Sequence, residues 1–232
     1  MSITENYSKI KKKIPSHVKI VVAAKTRNVD EIKELIMAGA TDIGENYVQE
    51  AENMRQALGD LSKKVNWHMI GHLQKNKINK ALPIFNCIQT VDSIQQARDI
   101  DRRVEKADKK KILILLEINI GSEFTKSGIN PGEHKDFETY IENMILEMTQ
   151  LQHIGVAGLM TMGPRFDNPE KSRHYFRRTK NLFEDLKKLN GANLQMSYLS
   201  MGMSNTYQVA IEEGANMIRL GTVIFGPRND KE

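Results

Sequence analysis

The 232-residue chain is poor in residues that cross-link or span. It has one cysteine, Cys87, one tryptophan and only 6% aromatic residues. A lone thiol cannot close an intramolecular disulfide or build a cysteine-based metal cluster within one chain, and it fits a reducing compartment. The most apolar run, ILILLEINI, is far too short for a bilayer, which takes about 20 residues. The N-terminus, MSITENYSKIKKKIP, has no apolar h-region, so no secretory signal is read there. A cytoplasmic protein with no membrane contact is the expectation. No Pro- or Ser-rich linker, low-complexity tract or long repeat divides the chain. The formal net charge of +5 favours anionic partners without naming one. The basic stretches KIKKK (9–13) and KSRHYFRRTK (171–180) carry no nucleic-acid motif or aromatic platform, so nucleic acid is not an expected partner.

What is present is an alternation. Short apolar runs suited to strands are KIVVAA (19–24), TDIGE (41–45), NWHMIG (66–71), FNCIQTVD (85–92), KILILLEINI (111–120), IGVAGLMTM (154–162), LQMSYLSM (194–201) and NMIRLG (216–221). Between them lie amphipathic stretches suited to helices. One starts at Asn28, one at Ser93, a long one covers 131–151, and a short one covers 204–213. The long one has Phe137, Tyr140, Ile141, Met144, Ile145 and Met148 on one stripe. Strands separated by helices imply a parallel sheet. Eight of them in a chain near the barrel norm of roughly 250 residues favour an α/β fold, a single (β/α)8 TIM-type barrel. A leading helix over 3–14 is extra, and one domain over 1–232 is the simplest reading.

A barrel gives positions a meaning, because function collects at the C-terminal ends of its strands. Lys25 lies there after strand one. Strand alternation puts Val21, Ala23 and Lys25 on one face, and Met217, Arg219 and Gly221 on one face of strand eight. If the purely apolar faces pack on helices, Lys25 and Arg219 both point into the mouth. Two cations there need an anion, or a lysine held neutral. A neutral lysine attacks carbonyls. Ser204, in SMGMSN after strand seven, is expected at a helix N-terminus, where free N–H groups favour a phosphate. Gly221 and Thr222 follow strand eight, and Gly221 has no side chain to block close approach. An amine nucleophile beside a phosphate cup suggests a phosphorylated aldehyde. Pyridoxal 5'-phosphate (PLP) is the common one, with Arg219 at its ring nitrogen.

The motifs AAKT, IGENYVQE, WHMIGHLQKNK, GLMTM, LSMGMSN and MIRLGTVIFGPR, taken together from about residue 5 to 228, resemble the pyridoxal phosphate homeostasis proteins. That family resembles the N-terminal barrel domain of alanine racemase. The resemblance implies a PLP carrier or regulator with no established catalytic reaction. It implies that Lys25 forms the Schiff base and that Ser204, Gly221 and Thr222 hold the phosphate. It further implies that Arg219 faces the ring nitrogen and Asn46 lies beside the cofactor. Apo PLP-dependent enzymes are the implied recipients. One departure is Thr206, where the family carries an acidic residue, which bears on the local helix start. The alternative is a PLP-dependent amino-acid enzyme such as a weak racemase. A racemase needs a second base, which in alanine racemase comes from a C-terminal domain and a partner subunit. The chain ends a few residues after strand eight, so an open cofactor face and a monomer are expected. His68 and His72 in WHMIGH show no acidic or histidine partner along the sequence, so no metal site is expected. Cys87 and Met160, Met162, Met201 and Met203 read as packing residues.

Overall fold

The computed structural model describes residues 2–107, 109–123, 127–164 and 166–227. Eight strands hydrogen-bond in chain order, all parallel, and the last closes on the first. They are β1 (Lys19–Ala23), β2 (Asp42–Glu45), β3 (Asn66–Met69), β4 (Cys87–Val91), β5 (Ile112–Glu117), β6 (Ile154–Thr161), β7 (Leu194–Met201) and β8 (Met217–Leu220). The helices are α1 (Ile3–Lys13), α2 (Val29–Met37), α3 (Val48–Leu58), α4 (Ile78–Ala81), α5 (Ile94–Lys106), α6 (Phe137–Met148), α7 (Arg173–Leu186), α8 (Tyr207–Glu212) and α9 (Thr222–Phe225). The fold is the expected (β/α)8 TIM barrel with an extra N-terminal helix. Among the described residues no helix is long and apolar enough to cross a membrane.

Helix starts follow local chemistry. Asn28 accepts from the Glu31 N–H at 2.9 Å while the Glu31 carboxylate accepts from the Asn28 N–H at 2.8 Å, a reciprocal cap that sets where α2 begins. Ser93 caps α5 in one direction, its hydroxyl accepting from the Gln96 N–H at 3.3 Å. The long helix starts later than its apolar stripe suggests. Pro131–Glu133 forms a separate 3-10 turn, and Asp136 caps α6. Tyr140 leaves the stripe and stacks on His134 with ring centroids 3.6 Å apart. The arginines of the second basic stretch are ion-paired: Arg173 reaches Glu170, Glu212 and Glu213, and Arg177 reaches Glu213.

The strands bury both faces, as parallel sheets do. Outward residues such as Val22, Ile43, Trp67, Ile114, Leu199 and Ile218 join the helices in one large core. Inward residues form a second, smaller cluster of Val21, Cys87, Leu115, Ala157, Met160 and Met217. Cys87 is buried there and its thiol is pushed up to about 12, chiefly by that burial, so it is inert. Gly44 faces this interior, where a Cβ would lie 2.7 Å from Ile70 Cδ1 and 2.9 Å from Val21 Cγ1. We expect Gly44→Val to cost about 2 kcal/mol or more through overpacking, measured as a lower urea midpoint. A midpoint equal to wild type would show that the interior has slack there.

Candidate functional site

The strand ends bring Lys25, Asn46, Ser204, Arg219, Gly221 and Thr222 to one end of the barrel. β1 ends at Ala23, and Lys25 stands in the turn just beyond it. Ala23 pairs with Gly44 of β2, so the Lys25 turn and the Asn46–Tyr47 turn run side by side. The Lys25 ammonium lies 5.0 Å from the centre of the Tyr47 ring, within cation–π range. Among the described residues it meets no carboxylate within ion-pair distance. Tyr47 was not singled out from the sequence, although an aromatic directly after Asn46 was a usable signal. Thr26, next in the chain, has φ of 67°. A β-branched residue resists that conformation, so strain is concentrated in the residue that follows the lysine.

At the end of the adjacent strand β8, which pairs with β1, Gly221 lies beside Ala23. A Cβ on Gly221 would meet only Ala23, at 3.6 and 3.7 Å, which is ordinary contact. Among the described residues, packing alone therefore leaves room for a side chain at this position. The Ser204 hydroxyl accepts from the backbone N–H of Gly221 at 3.3 Å and of Val223 at 3.4 Å. Thr222, exposed, sits between them at the start of α9. The expectation of Ser204 at a helix N-terminus needs correction. α8 begins only at Tyr207, so Ser204 lies in the preceding turn and serves the end of β8. Thr206 does keep that turn together, because its hydroxyl accepts from the Met203 N–H at 3.1 Å.

Arg219 is buried and points inward from β8. Both Nη1 hydrogens go to Ser200, one to its carbonyl at 3.0 Å and one to its hydroxyl at 2.7 Å. One Nη2 hydrogen goes to the Thr161 carbonyl at 2.8 Å. A guanidinium has five N–H donors. Among the described residues, one Nη2 hydrogen and the Nε hydrogen are left for a ligand. Burial lowers the arginine to about 10, with Glu117 acting against the drop, so it remains a cation at neutral pH. Glu117 ends β5 and is buried, with no hydrogen-bond partner for Oε2. Burial raises it to about 7, Arg219 pulls it down and Asp92 raises it. A half-neutralised carboxyl near a buried arginine is a feature that strand patterning alone did not single out.

His68 also corrects an expectation. It does have an acidic partner: its Nε2 lies 2.9 Å from Asp42 Oδ1, inside the barrel. The two residues are brought together by the register of β2 on β3, where Gly44 pairs with His68. His72 is exposed and lines a surface cavity with Asn46, Tyr47 and Lys77.

Glu45 points outward from β2 and is buried with Oε2 unpartnered. Burial, with help from Glu50, raises it from the ordinary 4.5 to about 8, against a hydrogen bond from the Asn46 backbone. Between those two values the folded state holds a proton that the unfolded chain releases, so this group lowers stability as pH rises. We expect Glu45→Gln to stabilise the protein at pH 8 by on the order of 2 kcal/mol, with the gain vanishing near pH 5. Urea titrations at the two values check the sign. Thr26→Gly should relieve backbone strain worth about 1 kcal/mol and raise the melting temperature. A lower melting temperature would mean that the Thr26 side chain outweighs its strain.

The family described as alanine racemase, N-terminal domain, matches residues 1–229. The pyridoxal phosphate homeostasis protein of Aquifex aeolicus is 38% identical over 90% of this chain and 87% of its own length. That of Haemophilus influenzae is 36% identical over 99% and 97%. Among solved structures, PipY of Synechococcus elongatus with PLP bound superposes with a TM-score of 0.86 at 29% identity, covering 97% of this chain and all of that one. An alanine racemase from Clostridium difficile, at 16% identity and a TM-score of 0.75 over 58% of its length, shares the barrel fold. The chain is therefore a member of the alanine racemase N-terminal domain family and, within it, belongs with the pyridoxal phosphate homeostasis proteins.

Proposed function

We propose that this single-barrel protein binds PLP as a Schiff base on Lys25 and takes part in intracellular PLP homeostasis as a monomeric carrier, without catalysing a reaction of its own. The observation that carries the reading is a cup of opposite chemistry to PLP at one barrel end. The Gly221 and Val223 N–H groups converge at the Ser204 hydroxyl, where Gly221 has no side chain to block a ligand. These groups fit a phosphate. Lys25 supplies the amine: its Nζ adds to the aldehyde carbon, and the aldehyde oxygen leaves as water with both amine hydrogens. Arg219 offers its two unused donors to the ring nitrogen, and Asn46 flanks the ring. Tyr47 covers the lysine from the solvent side. An arginine at the ring nitrogen discourages a proton there, because two like charges would meet. That weakens the ring as an electron sink, but alanine racemase tolerates the same arginine, so the support for a non-catalytic role comes from the relatives' names as homeostasis proteins.

Bound PLP supplies an electrophilic aldehyde carbon; the protein supplies orientation and a reversible tether. Carriage of this kind predicts apo PLP-dependent enzymes as recipients. A racemase reading remains the alternative.

Three outcomes are expected. Purified protein mixed with PLP should absorb in the visible, and borohydride reduction should fix a phosphopyridoxyl mass on Lys25. Lys25→Ala should abolish both. A mass on another lysine would overturn the assignment. Ser204→Ala should weaken PLP roughly tenfold and leave pyridoxal, which lacks the phosphate, unchanged. Loaded protein should not racemise L-alanine above the rate of free PLP, and turnover would favour the enzyme reading.

A further inference from the structure

The interior of a TIM barrel is ordinarily filled with layers of branched apolar side chains. Here a file of polar side chains runs through it beside the apolar cluster of Val21, Leu115, Met160 and Met217. Arg219 Nη1 donates to the Ser200 hydroxyl at 2.7 Å. Ser200 Oγ donates to Gln89 Oε1 at 2.7 Å. The Gln89 amide donates to His68 Nδ1 at 3.0 Å, and His68 Nε2 meets Asp42 Oδ1 at 2.9 Å. All five residues are buried. They come from β8, β7, β4, β3 and β2, so the file crosses the barrel and descends from the mouth toward the base. At the base Asp42 also meets Lys19 Nζ at 3.2 Å and the Thr41 hydroxyl at 2.8 Å, beside a small cavity of about 110 Å³.

With the Gln89 amide placed so that Nε2 faces His68, the donor directions follow link by link. An arginine can only donate, so Ser200 Oγ accepts from it. The serine hydrogen then goes to the Gln89 carbonyl oxygen, which turns the Gln89 amide toward His68. An amide donor requires an acceptor, so His68 Nδ1 carries no hydrogen and Nε2 carries one. That hydrogen goes to Asp42, which is acceptor-only when ionised. Burial would raise Asp42, but the hydrogen bonds from His68 and Thr41 outweigh it and hold the carboxylate at about 2. Every donor therefore points from the cation to the anion. Hydrogen bonds arranged head to tail polarise one another, and the effect is strongest at low dielectric.

We propose that His68, Gln89 and Ser200 are positioning residues, a one-way hydrogen-bond relay that locks Arg219 and ties its guanidinium to the Asp42 carboxylate at the far end of the barrel. Through it the base of the barrel sets the geometry and donor strength that Arg219 presents to the ring nitrogen of PLP. This rests on the reading of Arg219 as the ring-nitrogen partner. Glu117 faces the same arginine from the mouth side, so Arg219 sits between a local carboxyl and a distant one. Ser200 and Thr161 engage three of the five Arg219 donors, which leaves two unused among the described residues.

The test uses full-length protein loaded with nitrogen-15-labelled PLP, with Gln89→Leu and the gentler Ser200→Ala. In wild type the ring nitrogen should give the resonance of an unprotonated acceptor and hold it across neutral pH. In both variants that resonance should shift and become pH-dependent, and the PLP Kd should rise roughly tenfold. Leu115→Ala serves as the comparison, since it opens the same interior without touching the relay. It should lower the melting temperature and leave the ring resonance in place. In unloaded wild type the His68 ring should carry its hydrogen on Nε2. A ring resonance unmoved by both variants in loaded protein, or a His68 hydrogen on Nδ1, would overturn the relay alone. Failure of wild type to bind PLP would overturn the site reading and the relay together.

Discussion

A guanidinium buried inside the barrel is the constraint on which the mouth of this protein is built. An arginine without acceptors in that place would cost several kcal/mol. The fold meets the demand with two backbone carbonyls and one hydroxyl from β6 and β7. Those acceptors exist only because β7 and β8 lie side by side and the sheet closes. The same inward face of β8 then continues to Gly221, whose N–H is gathered by Ser204. Arg219 and Gly221 are thus two residues apart, one on β8 and one just past its end, and the strand pitch fixes the spacing of the proposed ring-nitrogen donor and phosphate site.

The proposed tether, Lys25, stands just past the end of the neighbouring strand, under different physics. Lys25 is half-buried, with an exposed tyrosine against its ammonium and, among the described residues, no carboxylate pairing it. An amine so placed is reachable, which suits a bond that is to be made and unmade. The strained Thr26 that follows holds the turn in one conformation. A rigid anion cup and an accessible amine are a reasonable division of labour for a protein proposed to carry a reactive aldehyde rather than to transform it.

Two sets of buried carboxyls behave differently. Asp42 is ionised because it is surrounded by donors, whereas Glu45 and Glu117 are lifted toward neutrality because burial removes water and too few donors replace it. The contrast marks Asp42 as part of a satisfied network and the two glutamates as groups whose protonation responds to pH near neutrality.

The order of elements, the barrel class and the inward parity of Arg219 and Gly221 were legible in the sequence, because they depend on periodicities of a few residues. That Lys25, Ser204 and the Gly221–Thr222 pair lie at the C-terminal ends of strands was legible too, although Ser204 was expected at a helix start and lies in the turn before it. Helix starts at Phe137 and Tyr207 were misjudged where a proline turn and a side-chain-capped turn stood in for helix. The partners of Arg219 and His68 were not legible at all. Gln89 and Ser200 are 111 positions apart, and only the register of eight closed strands decides that they touch. Local spacing fixes which side chains face inward. Closure alone decides which of them meet across the barrel, because that depends on the stagger accumulated around the whole sheet.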